Sequence, residues 1–159
     1  MEEQMKLENA KRVYKTLCDA LDARSWKYSK NEEDLRVEFG VSGDDLLMRF
    51  IMVVDADRQL VRLVSFLPFN IPEDKRMEGA VATCVASYGL LSGSFDYDIS
   101  DGSISFRMTA AFHESEIGEM LLQVMISTAC QTVDRYNDRF LAVGKGLMSL
   151  EDFIKADVG

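Results

Sequence analysis

An α+β fold is predicted, with an antiparallel sheet and helices packed mainly on one of its faces, in the order α-β-β-β-α-β-β-α. Three observations carry this expectation. Alternating segments at 35–41, 46–54 and 60–67 are joined by turns too short for anything but hairpins. A second alternating pair, at 95–99 and 104–112, closes through Ser100-Asp101-Gly102-Ser103. Stretches with apolar residues three and four apart stand before, between and after these strands. The chain reads as one domain over residues 1–159.

The first helix runs from Glu2 to about Ala23, where Ala10, Val13, Tyr14, Leu17 and Leu21 make one stripe. Ser25 onward turns extended through Trp26 and Tyr28, and Asn31-Glu32-Glu33-Asp34 breaks the pattern. In the first strand Leu35, Val37, Phe39 and Val41 share a face. Ser42-Gly43-Asp44 and Asp55-Ala56-Asp57 supply the next two turns. Pro68 and Pro72 are expected to bracket the exit from the sheet, since neither can donate to a ladder. A second helix is expected over Glu73 to Leu91, with Met77, Val81, Cys84, Val85 and Tyr88 on its core face. Ser115 is the expected N-cap of the third helix. Its core stripe would be Ile117, Met120, Leu121, Val124, Met125 and Thr128, continuing through Tyr136, Phe140 and Val143 to a stop at Gly144 and Gly146. A short terminal helix at 150–154 can follow.

The chain has 159 residues, 18 of them basic and 27 acidic, for a net charge of −9. No cluster of Lys and Arg is present, so phosphate backbones and anionic membrane surfaces are poor partners. The longest uncharged stretch, Gly79 to Asp96, falls short of the about 20 strongly apolar residues that a membrane span needs. An acidic N-terminus leading straight into an amphipathic helix is unlike a signal peptide. Cys18, Cys84 and Cys130 are odd in number and embedded in helical patterns, which points to buried thiols in a reducing, cytoplasmic setting.

Two of the strands are apolar on both alternating faces. Leu46, Met48, Phe50, Met52 and Val54 stand opposite Leu47, Ile51 and Val53, and Val61, Leu63 and Leu67 stand opposite Leu60, Val64 and Phe66. An antiparallel sheet covered on one side should show polar residues on the other. The chain's own helices are therefore expected to cover most of the second face, and a partner or second subunit the remainder.

With these elements in order, the chain resembles the YbjN family of bacterial sensory transduction regulators, which shares the fold of the small type III secretion chaperones. The resemblance spans Trp26 to about Phe153. It rests on Trp26, the Gly43-Asp44 turn and the Pro-bracketed, Arg76-containing second helix. It continues through Gly93-Ser94-Phe95-Asp96-Tyr97-Asp98, Asp101-Gly102, Ile104-Ser105-Phe106-Arg107 and Thr132-Val133-Asp134-Arg135-Tyr136. The chain departs from the family at Ala86-Ser87-Tyr88, where many members carry Leu-Asn pairs. The resemblance implies a chaperone-like α+β fold, often dimeric, without established enzymatic activity.

Nothing in the sequence converges on catalysis, and no cofactor or metal is expected. A calcium loop needs ligands at positions 1, 3 and 5, Gly at 6 and Glu at 12. After Asp96 and Asp98 the third acid, Asp101, falls one place late, and the acid at the end is missing, so this run reads as a hairpin turn. His113 is the only histidine and lacks a nucleophile against it. Met48, Met52, Met108, Met120 and Met125 read as core fillers, with the Met48–Met52 pair also suited to a binding surface.

The expected function is therefore protein binding, chaperone-like or regulatory, by a homodimer. The strand surface expected to meet the partner is Met48, Phe50, Met52, Val61, Leu63 and Ser65, although alternation alone does not say which face is inward. Two other readings remain. One is a small-molecule binder or enzyme with a pocket between the sheet and the second helix, near Trp26 and Tyr88. The other is a structural subunit of a larger complex.

Overall fold

The computed structural model describes residues 2–158. The elements are α1 (Glu2–Ala23), β1 (Ser29–Asn31), β2 (Arg36–Ser42), β3 (Leu47–Asp55), β4 (Leu60–Asn70), α2 (Arg76–Tyr88), β5 (Ser94–Asp98), β6 (Ser103–Ala111), α3 (Glu119–Gly144) and α4 (Leu150–Val158). A single 3₁₀ turn, Glu73–Lys75, leads into α2. All strand pairs are antiparallel, in the order β1-β2-β3-β4-β6-β5. The expected order is thus observed, with the short β1 added after Trp26 and α4 at the end.

One face of the sheet carries the core. Val37, Phe39, Met48, Phe50, Met52, Val54, Val61 and Leu63 point inward and are buried. α1 covers them with Val13, Tyr14, Leu17 and Leu21, and α3 with Met125, Ala129, Val133 and Phe140. An aromatic cluster fastens β5 and α4 to this layer. Phe95 lies 5.0 Å from Phe140, which lies 5.5 Å from Phe153 of α4.

β4 does not end at its first proline. It runs through Pro68 to Asn70, and a register shift between Phe66 and Asn70 removes the missing N–H from the β4–β6 ladder. Directly after it, the Ile71 amide donates to the Gly102 carbonyl at 2.7 Å. Gly102 has φ +74° and lies so close to the Ile71 backbone that a Cβ would overlap it.

Two helix faces differ from expectation. α2 turns its small residues inward, with Gly79, Ala82, Thr83 and Ala86 buried. Met77 (67 % exposed), Val81, Cys84 and Tyr88 (93 %) face outward. The reason is close approach: a Cβ on Gly79 would sit 2.7 Å from the Tyr97 hydroxyl and 3.1 Å from Ile71. Large side chains do not fit that gap. In the first half of α3 the buried set is Leu122, Met125, Ile126 and Ala129, while Met120, Leu121 and Val124 are exposed. Apolar residues fill two adjacent stripes there, and contact with α1 selects between them. The helix also starts later, with Gly118 rather than Ser115 as N-cap.

Candidate functional site

The six residues expected to meet a partner lie on the wrong face for it. Met48, Phe50, Met52, Val61, Leu63 and Ser65 are all buried beneath the helices. The Ser65 hydroxyl donates to the Arg49 carbonyl at 2.7 Å, inside the sheet. These side chains cannot touch another molecule without unfolding, so the strand pair is retained as a candidate site only through its opposite face.

Among the described residues no helix lies over that outer face, contrary to the expectation that the chain covers it. Its side chains come from the other parity: Leu47, Arg49, Ile51 and Val53 on β3, and Leu60, Arg62, Val64 and Phe66 on β4. Ile51 pairs with Val64, and Val53 with Arg62, in the β3–β4 ladder. Phe66 is 62 % exposed and Leu47 56 %. Together they form an apolar strip down the middle of a six-stranded sheet. A depression of about 370 Å³, lined by Leu47, Arg49, Ile51 and Phe66 among others, opens at its β2–β3–β4 end.

The charges on this face are sorted. Arg36 is ion-paired with Glu38 on β2, and Arg107 on β6 with Asp96 on β5 at 3.2 Å. Asp55 is held by Arg58, whose backbone amide and guanidinium both donate to it, and its carboxyl is lowered from the usual 3.8 by those bonds. Arg49 and Arg62 form no ion pair among the described residues, and both are exposed. On a chain of net charge −9 this leaves two free cations flanking apolar side chains.

A signal for this orientation was present in the sequence. Arg49, Asp55 and Arg62, the charges of β3 and β4, all fall on the outer parity, and an unpaired charge is not buried. The parity free of charge is therefore the core side.

The other candidates form no site. Asp98 accepts from the Ser100 amide at 2.9 Å and Asp101 from the Ser103 amide at 2.9 Å, so both carboxylates tie down the β5–β6 hairpin. Among the described residues no group of three or more His, Cys, Asp and Glu is placed to hold a metal ion. His113 is exposed at the end of β6. Burial pushes the Cys130 thiol up to about 11 and raises that of Cys18, which makes both poor nucleophiles. Cys84, expected to be buried, is exposed.

Trp26 and Tyr88 do not share a pocket. Trp26 packs on Phe39 of β2 at 5.3 Å, whereas α2 packs against β5, four strands away, or about 19 Å at the usual strand spacing. Depressions of about 370, 800 and 730 Å³ are lined by neither residue. Among the described residues, no helix is long and apolar enough to cross a membrane.

No protein-family model and no curated protein matches the chain, so the YbjN resemblance rests on its motifs. Among solved structures it is similar to a chain of the HopA1-SchA chaperone-effector complex. The TM-score is 0.52 at 13 % identity, over 80 % of this chain and 95 % of that one. At that identity the likeness shows the fold, a chaperone-like α+β arrangement.

Proposed function

We propose that this chain is a non-enzymatic protein-binding module, chaperone-like or regulatory, that holds its partner on the outer face of the sheet. The uncovered apolar strip of Leu47, Ile51, Val64 and Phe66 carries this reading. Water-exposed apolar side chains grouped on a sheet are uncommon on a molecule that works alone. An exposed apolar strip running along two strands suits a protein better than a small substrate, which an enclosed pocket would hold. The YbjN resemblance and the chaperone-effector neighbour agree with it.

The second subunit of a homodimer has its own surface in this reading. Met77, Val81, Cys84 and Tyr88 follow one another along α2 at spacings of four, three and four, the repeat of a helix–helix seam. Ala80, Val85 and Ser87 flank it with Glu78 as the one acid, so two acidic copies meet where each carries little charge.

The test is affinity capture followed by native mass spectrometry, using the protein from its own cells. Wild type should retain a defined partner that Phe66→Ser and Ile51→Asp lose, while Met77→Ser retains it. A partner retained equally by all variants would refute the sheet face as the binding surface.

A further inference from the structure

We infer that the partner segment on the outer sheet face is an acidic amphipathic helix, anchored by Arg49 and Arg62 on its two flanks. This rests on the sheet-face reading above and adds the chemistry of the occupant.

The secondary structure of the occupant follows from backbone hydrogen bonding. A sheet face offers mainly side chains, because the N–H and C=O groups of β3 and β4 lie in the plane of the sheet and pair with neighbouring strands along most of their length. An extended segment laid across it would leave its own backbone groups unpaired against Ile51, Val64 and Phe66. A helix satisfies them internally and presents apolar residues at intervals of three and four.

The charge of the occupant follows from the register. The β3–β4 ladder places Arg62 opposite Val53 and Ile51 opposite Val64, and two residues beyond it Arg49 and Phe66 line one depression with Ile51. Phe66, the central pair and Val53 thus form an apolar diagonal, and the two arginines stand on opposite sides of it. They are four residues apart along the strands, about 13 Å, and one strand apart across. The diagonal is tilted to the strands, so the two arginines lie about 11 Å apart along it, between the about 7.5 and about 13.5 Å that five and nine residues of helix span. Residues five or nine apart stand on opposite flanks of a helix, so carboxylates at either spacing come within reach of the long side chains of Arg49 on one side and Arg62 on the other.

Other occupants fit less well. A second copy docked through this face about a twofold axis would bring arginine toward arginine, on chains that already carry −9 each. Nucleic acid needs a field of cations, and here Glu38, Asp55 and Asp96 share the face.

The experiment is selection from a displayed library of random peptides of about 18 residues, ~27 Å when helical, on the intact protein. Wild type should enrich sequences with an apolar stripe at helical spacing and Asp or Glu on both flanks. The Arg49→Glu/Arg62→Glu variant, its fold checked by circular dichroism, should enrich Lys or Arg at those flanks instead. A wild-type-selected peptide should lose about fivefold in affinity for Arg49→Gln and again for Arg62→Gln, and both losses should shrink in high salt. Striped peptides without acidic preference, or with equal affinity for the arginine variants, would overturn the charge inference and leave the sheet-face reading standing. Selection of alternating, extended sequences would overturn the helix. Peptides indifferent to Ile51→Asp and Phe66→Ser, or no enrichment at all, would sink both readings. A monomer–dimer equilibrium shifted by Arg49→Glu would assign the face to a second copy and also overturn the inference.

Discussion

The carboxylate of Asp134, midway along α3, accepts a hydrogen bond at 2.9 Å from the backbone amide of Asp44 in the β2–β3 turn. Ninety residues of chain separate the two, and the contact fixes the end of the hairpin against the helix layer. Gly43 lies against the same carboxylate, where a Cβ would overlap it. Asp134 also belongs to a crowd: Asp138, burial, Asp134 and Asp44 hold the Asp45 carboxyl above its usual value. Asp134→Ala should cost about 1 kcal/mol in denaturant unfolding. Asp134→Asn keeps an acceptor and relieves the crowding, so it should cost less. Gly43→Ala displaces the carboxylate, and the double variant Gly43→Ala/Asp134→Ala should therefore be less destabilised than the sum of the two single changes.

α2 separates a packing face from a free face on one helix. Ala82 and Ala86 are fully buried and face β5 and α3, whereas Met77 and Tyr88 point outward. Ala82→Leu should overpack that gap and cost about 1–3 kcal/mol. Met77→Ser and Tyr88→Ser should stay within about 0.5 kcal/mol of wild-type stability per subunit, as for surface substitutions generally. Their effect should appear in sedimentation, as a weaker dimer. A wild-type monomer at all concentrations would contradict the α2 seam.

The three thiols provide a chemical map of the same surface. Cys84 is exposed on α2, while Cys18 is buried and Cys130 half-buried with its thiol held near 11. At mildly alkaline pH a thiol reagent should label Cys84 first and leave Cys18 and Cys130 to react on the timescale of unfolding. Peptide mapping reads the order. Labelling of Cys84 should slow as protein concentration rises, because the second copy covers it. Rapid labelling of Cys130 in the folded protein would show that α3 opens far more readily than its packing allows.

Element type and order were legible because turns punctuate the strands and apolar residues recur at three and four along the helices. The hairpin turns at Gly43-Asp44 and Asp101-Gly102 punctuate strands of alternating residues, and that suffices for an antiparallel sheet. Facing was less legible, for a different reason at each place. In β3 and β4 both parities are apolar, and the sparse arginines that mark the outer side were outweighed by the purely apolar run of Met48, Phe50 and Met52. In α2 the usual rule that large apolar residues pack inward is reversed, because Gly79, Ala82 and Ala86 let the helix approach β5 closely. In α3 the run from Met120 to Ile126 offers two stripes, and only contact with α1 decides. The outer-face site depends on the pairing of β3 with β4, a relation between segments that no single segment encodes.

Alkaline titration tests the seam between α1 and the sheet. Tyr14 is buried, and its hydroxyl donates to the Arg36 carbonyl at 2.9 Å. Burial first, then Cys18 and Glu32, push its phenol from 10.0 up to about 12. A raised value means the folded state favours the protonated phenol, so its contribution is fully present below pH 10 and is lost as pH rises toward 12. Tyr14→Phe removes both the hydrogen bond and the titration. It should be about 1 kcal/mol less stable than wild type at neutral pH, since the Arg36 carbonyl loses its side-chain donor. Above pH 10 wild type should lose stability more steeply than Tyr14→Phe, and the two curves should converge. Tyr28, also raised by burial and by Asp22, remains in both proteins and gives them a common residual slope. Denaturant unfolding at stepped pH, with tyrosinate absorbance followed in parallel, measures both quantities. Parallel curves from pH 9 to 12 would mean that Tyr14 titrates freely, and that α1 is not sealed against β2 as its burial requires.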